Sequence, residues 1–313
     1  MIPWLRLRKK GIIMNQPIFT TPDGEIDLDM FEEQLKTRHV RLVSMGFTSN
    51  LTGYTIPAKE IIQLAHRYGA LVLLDGAQAV PHMAIDVQDL DVDFLACSMH
   101  KMCGPRGVGV LYGKSEYLGK ATREEDEAEN VILPTMLGGD TVFDSTYDDY
   151  TLLQAPERFE VGLQDYAGQI AAGAAVKYLR KVGMDNIHAH EEKLNKYLSG
   201  KLMERYGDLG WFNILGPKDP AKRSGIVSFE VKRPNANGIA EDLSEKRNVM
   251  IRDGQFCVHS YLNNTFGVGW SGPQLPSEQR MMYRASFYFY NTIKECDIFL
   301  DTLQEIFEER FYV

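Results

Sequence analysis

Long apolar runs, clustered cysteines, a stripe of basic residues and internal repeats are all missing from this chain, and each absence excludes a class of protein. No stretch of the 313 residues approaches the ~20 consecutive apolar residues that a membrane-crossing helix needs. The opening MIPWLRLRKKG places basic residues where a signal peptide carries its apolar segment, so the sequence predicts a cytoplasmic chain with no membrane partner. The four cysteines, Cys97, Cys103, Cys257 and Cys296, form neither a CxxC pair nor a cluster of zinc-ligand spacing, which predicts free thiols in a reducing compartment and no metal site. Lysine and arginine are scattered and the formal net charge is -9, which repels phosphate backbones. Nucleic acid is therefore disfavoured as a partner, and a small neutral or zwitterionic substrate fits better. With 44% hydrophobic and 25% charged residues, and no low-complexity segment, the chain reads as an ordinary folded protein long enough for one large domain or two ordinary ones.

What is present begins with Trp4, Leu5 and Leu7 set among Arg6, Arg8, Lys9 and Lys10, the tail of a helix broken at Gly11 and followed by a short strand, GIIMNQPIF. DGEIDLDMFEEQLKTR predicts a helix starting near Asp27 or Asp29, and HVRLVSMGF a strand running into SNLTG. Pro57 suits the first turn of the next helix, whose face carries Ile61, Ala65 and Tyr68 and which stops at Gly69. LVLLD, from Leu71 to Asp75, is the continuous apolar run that a strand buried on both faces requires. Strand, helix, strand with short links predicts an α/β sheet with helices on its faces. Ligands of such sheets bind beyond the carboxyl ends of strands. Asn50, Asp75 and the run Ser98 to Lys101 follow directly on RLVSMGF, LVLLD and DFLAC, and so should converge.

The acidic REEDEAEN and the acidic, aromatic FDSTYDDYTLL read as solvated surface or a partner-facing loop. RFEVG reads as a strand leading into the Ala-rich helix QDYAGQIAAGAAVKYLRKVG, which ends at Gly183. From Met184 the composition changes: a helix (IHAHEEKLNKYLSGKLMERYG), a strand (GIVSFEV), a helix (ANGIAEDLSEKRN), strands at VMIRDG and MYRASFYFY, and a last helix opened by the capping-box spacing of Thr292 and Glu295. The sequence thus predicts an α/β domain over residues 1–183 and a smaller α+β domain over residues 184–313.

An aspartate closing a buried strand usually hydrogen-bonds local backbone, and a lysine past a strand usually faces solvent. Asp75 and Lys101 together, at neighbouring strand ends, meet a specific chemical need. Pyridoxal phosphate catalysis takes a lysine that binds the cofactor aldehyde and a buried carboxylate that keeps the pyridine nitrogen protonated, so that the ring draws electrons from the substrate's α-carbon. GPRGVG is not a dinucleotide fingerprint, because its glycine order is wrong and it leads into a strand instead of a helix.

DGAQAV followed by S-x-HK-x-x-GPxGVGxLY resembles the cofactor region of fold-type I pyridoxal phosphate enzymes in the class V aminotransferase and cysteine desulfurase group. The resemblance implies that Lys101 carries the cofactor, that Asp75 pairs with the pyridine nitrogen and that Gln78 contacts the ring hydroxyl. It also implies that Ser98 and His100 reach the phosphate and that Asn50, in TSNLTG, lies beside ring and substrate. In the second half, IRDGQFCVH is similar to the desulfurase segment that presents the catalytic cysteine, and MYRASFYFYNT to the strand whose arginine grips the substrate carboxylate. This implies Cys257 as nucleophile, Arg284 as carboxylate clamp and Arg252 on the substrate side. The set is chemically coherent, since a planar guanidinium suits a carboxylate and a thiolate can attack sulfur. His259 reads as a local hydrogen-bond partner more naturally than as a proton carrier. The implied activity removes sulfur from L-cysteine, or selenium from L-selenocysteine, to leave L-alanine and a persulfide on Cys257. An acceptor protein for the sulfur and a homodimeric enzyme follow from the same resemblance.

The resemblance covers nearly the whole sequence but starts inside the family's pattern. MIPW is similar to an interior helix of the family, and neither the phosphate-cradling loop nor the ring-stacking histidine that precede it is among the 313 residues. The expectation is an N-terminally truncated fold-type I large domain with exposed apolar surface and impaired cofactor binding by this chain alone. After RFEVG the family's threonine is replaced by Leu163, followed by Gln164, and the stretch from Cys257 to Arg284 is long beside the Suf-type branch. Two other readings stay open: a class V transamination or epimerisation that does not use Cys257, and a cofactor-free interaction protein on the same scaffold.

Overall fold

The computed structural model describes residues 1–18, 20–21, 23–119, 132–266 and 280–311. Helix α1 (Ile2–Lys9) is followed by α2 (Leu28–Thr37), which Asp27 caps by accepting a hydrogen bond from the Met30 amide at 2.9 Å. Strand β1 (Leu42–Gly46) leads to α3 (Ala58–Arg67), whose buried face is Ala58, Ile61, Ile62, Leu64 and Ala65. Then come β2 (Leu71–Asp75), the short α4 (Val87–Leu90), β3 (Phe94–Ser98), a single 3₁₀ turn at Met99–Lys101, β4 (Gly109–Gly113) and the short α5 (Ser115–Leu118). The four strands form one sheet in the order β1-β2-β3-β4. The first three run parallel, and β4 returns antiparallel beside β3. Val43, Val72, Leu74 and Leu95 pack with α2 and α3 into the core of this half. This is the expected α/β arrangement, but β2 is not buried on both faces: Val72 and Leu74 are buried, Leu71 and Leu73 are half-buried, and Asp75, expected as a buried carboxylate, is exposed.

At the amino ends of these strands Asp93 is 1% exposed and satisfied from three sides. It accepts from the Val72 amide at 2.7 Å and from Lys114 Nζ at 2.9 Å, and lies 2.8 Å from His66 Nε2. One buried carboxylate thereby ties β2, α3 and the end of β4 together, away from the strand ends that carry the lysine.

A hairpin of β5 (Val142–Ser145) and β6 (Tyr150–Leu152) precedes α6 (Tyr166–Val182), capped by Asp165. Gly183, at φ +93, lets the chain turn straight into α7 (Met184–Tyr206). The second half adds β7 (Phe212–Ile214), β8 (Ile226–Lys232), α8 (Ile239–Arg247), β9 (Arg252–Asp253), α9 (His259–Phe266), β10 (Arg280–Ser286) and α10 (Ile293–Phe311). Its antiparallel sheet runs β7-β8-β10-β9. Residues of α7, α8 and α10 close over β8 and β10 in one apolar cluster that includes Leu194, Leu198, Leu243, Leu303 and Phe307. Thr292 and Glu295 form the expected capping box, the carboxylate accepting from the Thr292 amide at 2.7 Å. A further cluster, Leu51, Leu215, Phe256, Leu262 and Met282, joins the loop after β1 to the second sheet.

Several local expectations are corrected. Residues 12–18 of the expected first strand have no regular structure, and Thr20 makes only an isolated bridge to Ile26, so apolar composition alone found no ladder partner. RFEVG is not a strand: Glu157–Phe159 form a 3₁₀ turn that buries Arg158. FDSTYDDYTLL is a hairpin, not a loop, although Phe143, Tyr147 and Tyr150 remain exposed. Pro57 is the cap residue of α3 rather than part of its first turn, and Tyr68 lies beyond the helix end, partly exposed, donating to Glu32 at 2.9 Å. Of VMIRDG only Arg252 and Asp253 pair, and MYRASFYFY leaves the sheet after Ser286. REEDEAEN and residues 267–279 of the long stretch before Arg284 lie outside the described residues. Apolar side chains are exposed on β4 (Val110, Leu111), on α6 (Ile170) and just before it at Leu163. Among the described residues no helix is long and apolar enough to cross a membrane, and no group of acidic, histidine or cysteine side chains has metal-binding geometry.

Candidate active site

The parallel strands β1, β2 and β3 end on one side of their sheet, and the polar residues foreseen there sit directly beyond them. Asp75 is the last residue of β2, paired in register with Gly46 and Ala96. Its Oδ1 accepts from the Ala77 amide at 3.0 Å, which fixes the carboxylate over the turn that holds Gln78. Gly76 has to be small: a Cβ there would lie 2.9 Å from Val80 and 3.2 Å from the Ala96 oxygen. Ser98 closes β3, and His100 and Lys101 fall on the 3₁₀ turn that follows. That turn is held from below by Met99, which is buried and whose oxygen accepts from the Met102 and Gly104 amides at 2.8 and 2.9 Å. A Cβ on Gly104 would lie 2.8 Å from the same oxygen, so the glycine is what permits the chain to close beneath the lysine.

Lys101 is half-buried. Burial pushes its amine below the ordinary lysine range; the Asp75 carboxylate opposes that shift, Arg284 reinforces it and Cys257 opposes it. The four groups therefore share one electrostatic environment, although they come from β2, the turn after β3, β10 and the turn before α9. Arg284 is also less basic than usual, first through burial and then through the neighbouring charge of Arg252, with Cys257 acting in the opposite sense.

The second sheet and the loop after β1 meet through backbone-directed bonds. Asn50 Nδ2 donates to the Phe256 oxygen at 2.7 Å, and Arg284 Nη1 donates to the Asn50 oxygen at 2.8 Å. Ser228 on β8 donates to the oxygen of Leu51. The guanidinium carbons of Arg284 and Arg252 lie 5.3 and 5.9 Å from the centre of the Phe256 ring. Phe256 and Cys257 have φ of +48 and +64, an uncommon pair of left-handed residues that turns the exposed cysteine out of the chain while the preceding ring stays buried.

Asn50, Asp75, Lys101, Arg252, Cys257 and Arg284 are thus brought into one connected set. Gln78, Ser98 and His100 stand on the same strand ends but make no hydrogen bond or ion pair with it. Among the described residues the side chains of Gln78, Ser98, His100 and Lys101 have no protein hydrogen-bond partner at all. The second oxygen of Asp75 is equally open. An amine of lowered basicity, an acceptor carboxylate and three uncommitted polar side chains around strand ends fit an aldehyde-bearing, phosphorylated pyridine in donor chemistry. Arg284 Nε is buried without an acceptor, which leaves one edge of its guanidinium free for a carboxylate. Phe256 was not foreseen from the sequence; the one available signal was a large aromatic side chain immediately before the exposed cysteine.

A model of the aminotransferase class-V family matches residues 1–299. The cysteine desulfurase of Haloferax volcanii is 35% identical over 303 residues, covering 97% of this chain and 64% of that protein. A probable cysteine desulfurase of Synechocystis is 34% identical over 305 residues, covering 97% of this chain and 66% of its own. The chain thus spans just under two thirds of the length of these curated relatives. Among solved structures, an apo cysteine desulfurase from Thermococcus onnurineus superposes with a TM-score of 0.83 at 30% identity, covering 99% of this chain and 70% of that one. The cysteine desulfurase CsdA from Escherichia coli gives a TM-score of 0.82 at 27% identity over 99% of this chain and 69% of its own.

Proposed function

The chain belongs to the aminotransferase class-V family, with the fold of type I pyridoxal phosphate enzymes, and from that premise we propose that it serves as a cysteine desulfurase. The cofactor in this reading is pyridoxal 5'-phosphate, the substrate L-cysteine or L-selenocysteine, and the products L-alanine and a persulfide on Cys257. The observation that carries it is the shared environment of the Lys101 amine, the Asp75 carboxylate, the Cys257 thiol and the Arg284 guanidinium. A homodimer in the cytoplasm, handing its sulfur to an acceptor protein, completes the proposal. Residues 1–183 act as the cofactor-binding domain and residues 184–313 as the substrate-side domain.

When bound, the pyridoxal ring supplies an electron sink for the substrate's α-carbon. Lys101 would hold the cofactor, with Asp75 on the pyridine nitrogen, Gln78 on the ring hydroxyl, Ser98 and His100 on the phosphate, and Asn50 beside the ring. Arg284 takes the substrate carboxylate along the edge whose Nε has no protein acceptor, with Arg252 adding positive charge on the same side. Lys101, made less basic by burial, moves the proton at the α-carbon once its amine is free. The Cys257 thiolate attacks the substrate sulfur; a sulfur–sulfur bond forms as the carbon–sulfur bond breaks. The electron pair of the broken bond stays on carbon, which takes up a proton to become the alanine methyl group.

The test is alanine formation from L-cysteine by the purified chain supplied with pyridoxal phosphate in large excess, which offsets the impaired cofactor binding expected of this chain. Activity is expected to vanish in Lys101→Ala and in Cys257→Ser. Alanine formation that persists in Cys257→Ser would leave a class V reaction that bypasses the thiol, and no alanine from the parent chain would overturn the reading.

A further inference from the structure

Phe256 stands at the crossing of three contacts that no site residue makes alone. Its main-chain oxygen accepts from Asn50 Nδ2 at 2.7 Å. The Asn50 oxygen accepts in turn from Arg284 Nη1 at 2.8 Å. The Arg284 guanidinium closes the circuit by lying 5.3 Å from the centre of the Phe256 ring. The ring is 1% exposed and packs in one cluster with Leu51, Leu215, Leu262 and Met282. The next residue is the exposed Cys257, and both have left-handed backbones, at φ +48 and +64. A turn of that kind keeps its geometry only while its surroundings hold it there.

We propose that Phe256 is a positioning residue that couples carboxylate binding at Arg284 to the placement of the Cys257 thiol. The inference rests on the desulfurase reading of this site and deepens it. Arg284 has one edge committed to Asn50 and a buried Nε with no acceptor. A carboxylate that takes up the unpaired edge fixes the guanidinium, and the ring face that the guanidinium carbon approaches at 5.3 Å is held with it. The turn carrying Cys257 follows, because its backbone is the continuation of the residue that holds the ring. Arg252, 5.9 Å from the same ring, adds a second cation to the arrangement. Substrate recognition and sulfur attack are then linked through one side chain, so that the thiol is presented when an amino acid carboxylate is in place.

The experiment follows the rate of Cys257 alkylation by iodoacetamide, resolved by peptide mass spectrometry, in the full chain with and without L-alanine. Alaninamide, which lacks the carboxylate, is the control. In the parent chain L-alanine is expected to change the rate by about threefold or more and alaninamide to leave it unchanged, a size set by a partly desolvated cation–aromatic contact. Phe256→Leu should lose the response to L-alanine, and Phe256→Tyr, which keeps the ring face, should retain it. If Phe256→Leu does not fold, Phe256→Met preserves the volume without the ring and reads the same quantity. A response that survives loss of the ring is carried by the charge of Arg284 alone and overturns the proposal, as does a parent chain whose Cys257 ignores L-alanine. Because alkylation is read without turnover, a chain that forms no alanine from L-cysteine but shows the ring-dependent response refutes the desulfurase reading and leaves the coupling standing.

Discussion

Arg284 Nη1 donates to the main-chain oxygen of Asn50 at 2.8 Å, so a strand of the second sheet grips the loop that follows the first strand of the other. The same side chain is the carboxylate clamp of the proposed reaction. Lysine in its place keeps the charge but has no planar fork, and cannot hold Asn50 and a carboxylate along two edges at once. Arg284→Lys is therefore expected to raise KM for L-cysteine by about 10-fold or more while kcat falls less. Arg284→Ala should in addition lose about 1–3 kcal/mol of stability, through the unpaired Asn50 oxygen and the space left against Phe256. Steady-state alanine formation and urea unfolding measure the two effects.

Lys101 gives a pH prediction with a definite sign. Burial lowers its pKa from the ordinary 10.5, so between the lowered value and 10.5 the unfolded chain binds more protons at this group than the folded chain does. The contribution of Lys101 to stability is accordingly unfavourable at neutral pH and improves as pH rises through that window. Lys101→Met should remove this part of the pH dependence. Since Asp75 is the carboxylate that opposes the shift, Asp75→Asn should lower the amine's pKa further. Competitive acetylation of Lys101 across pH, read by peptide mass spectrometry, would display the change; an Asp75→Asn titration displaced upward contradicts it.

Asp93 offers a test of the scaffold away from the site. Its carboxylate is 1% exposed and joins the Val72 amide, Lys114 and His66. Asp93→Ala leaves the Val72 amide without its acceptor and Lys114 with only Asp91, 2.6 Å away, and is expected to cost about 1–3 kcal/mol. Asp93→Asn, which keeps an acceptor oxygen, should cost less. The midpoint of urea unfolding orders the two variants.

The sequence revealed the site's chemistry better than its wiring. LVLLD and DFLAC announced strands, although in β2 only Val72 and Leu74 are buried while Leu71 and Leu73 are half-buried, and the polar residues after them had to meet at the strand ends. Residue type together with their places at neighbouring strand ends marked Asp75 and Lys101 as a pair. Phe256 was invisible because its part depends on contacts with Asn50 and Arg284, which are 206 and 28 positions away and acquire meaning only after both sheets have formed. The misread GIIMNQPIF and RFEVG failed for the opposite reason. Their apolar and aromatic composition suits a strand, but a strand exists only where a neighbour offers a ladder, and residues 12–18 have none while Arg158 turns inward instead.

Gly225 tests how tightly the two halves are keyed. His82, just beyond the Gln78 turn, lies with Nδ1 2.8 Å from Oε1 of Glu191 on α7, and that carboxylate is 1% exposed. A Cβ built on Gly225 would fall 2.8 Å from Glu191 Oε2 and 2.9 Å from the Phe287 oxygen. The main chain at Phe287 is anchored by its own amide, which donates to the Gly225 oxygen at 2.7 Å, so the carboxylate is the group that must yield. Gly225→Ala should therefore displace Glu191 from His82 and cost about 1–3 kcal/mol, the range for an overpacked interior. The double variant Gly225→Ala with Glu191→Ala removes the contact with the carboxylate and keeps only that with the Phe287 oxygen, so its loss should be smaller than the sum of the two single losses. Urea unfolding of the four chains decides the matter, and strict additivity would show that the methyl group and the carboxylate do not meet.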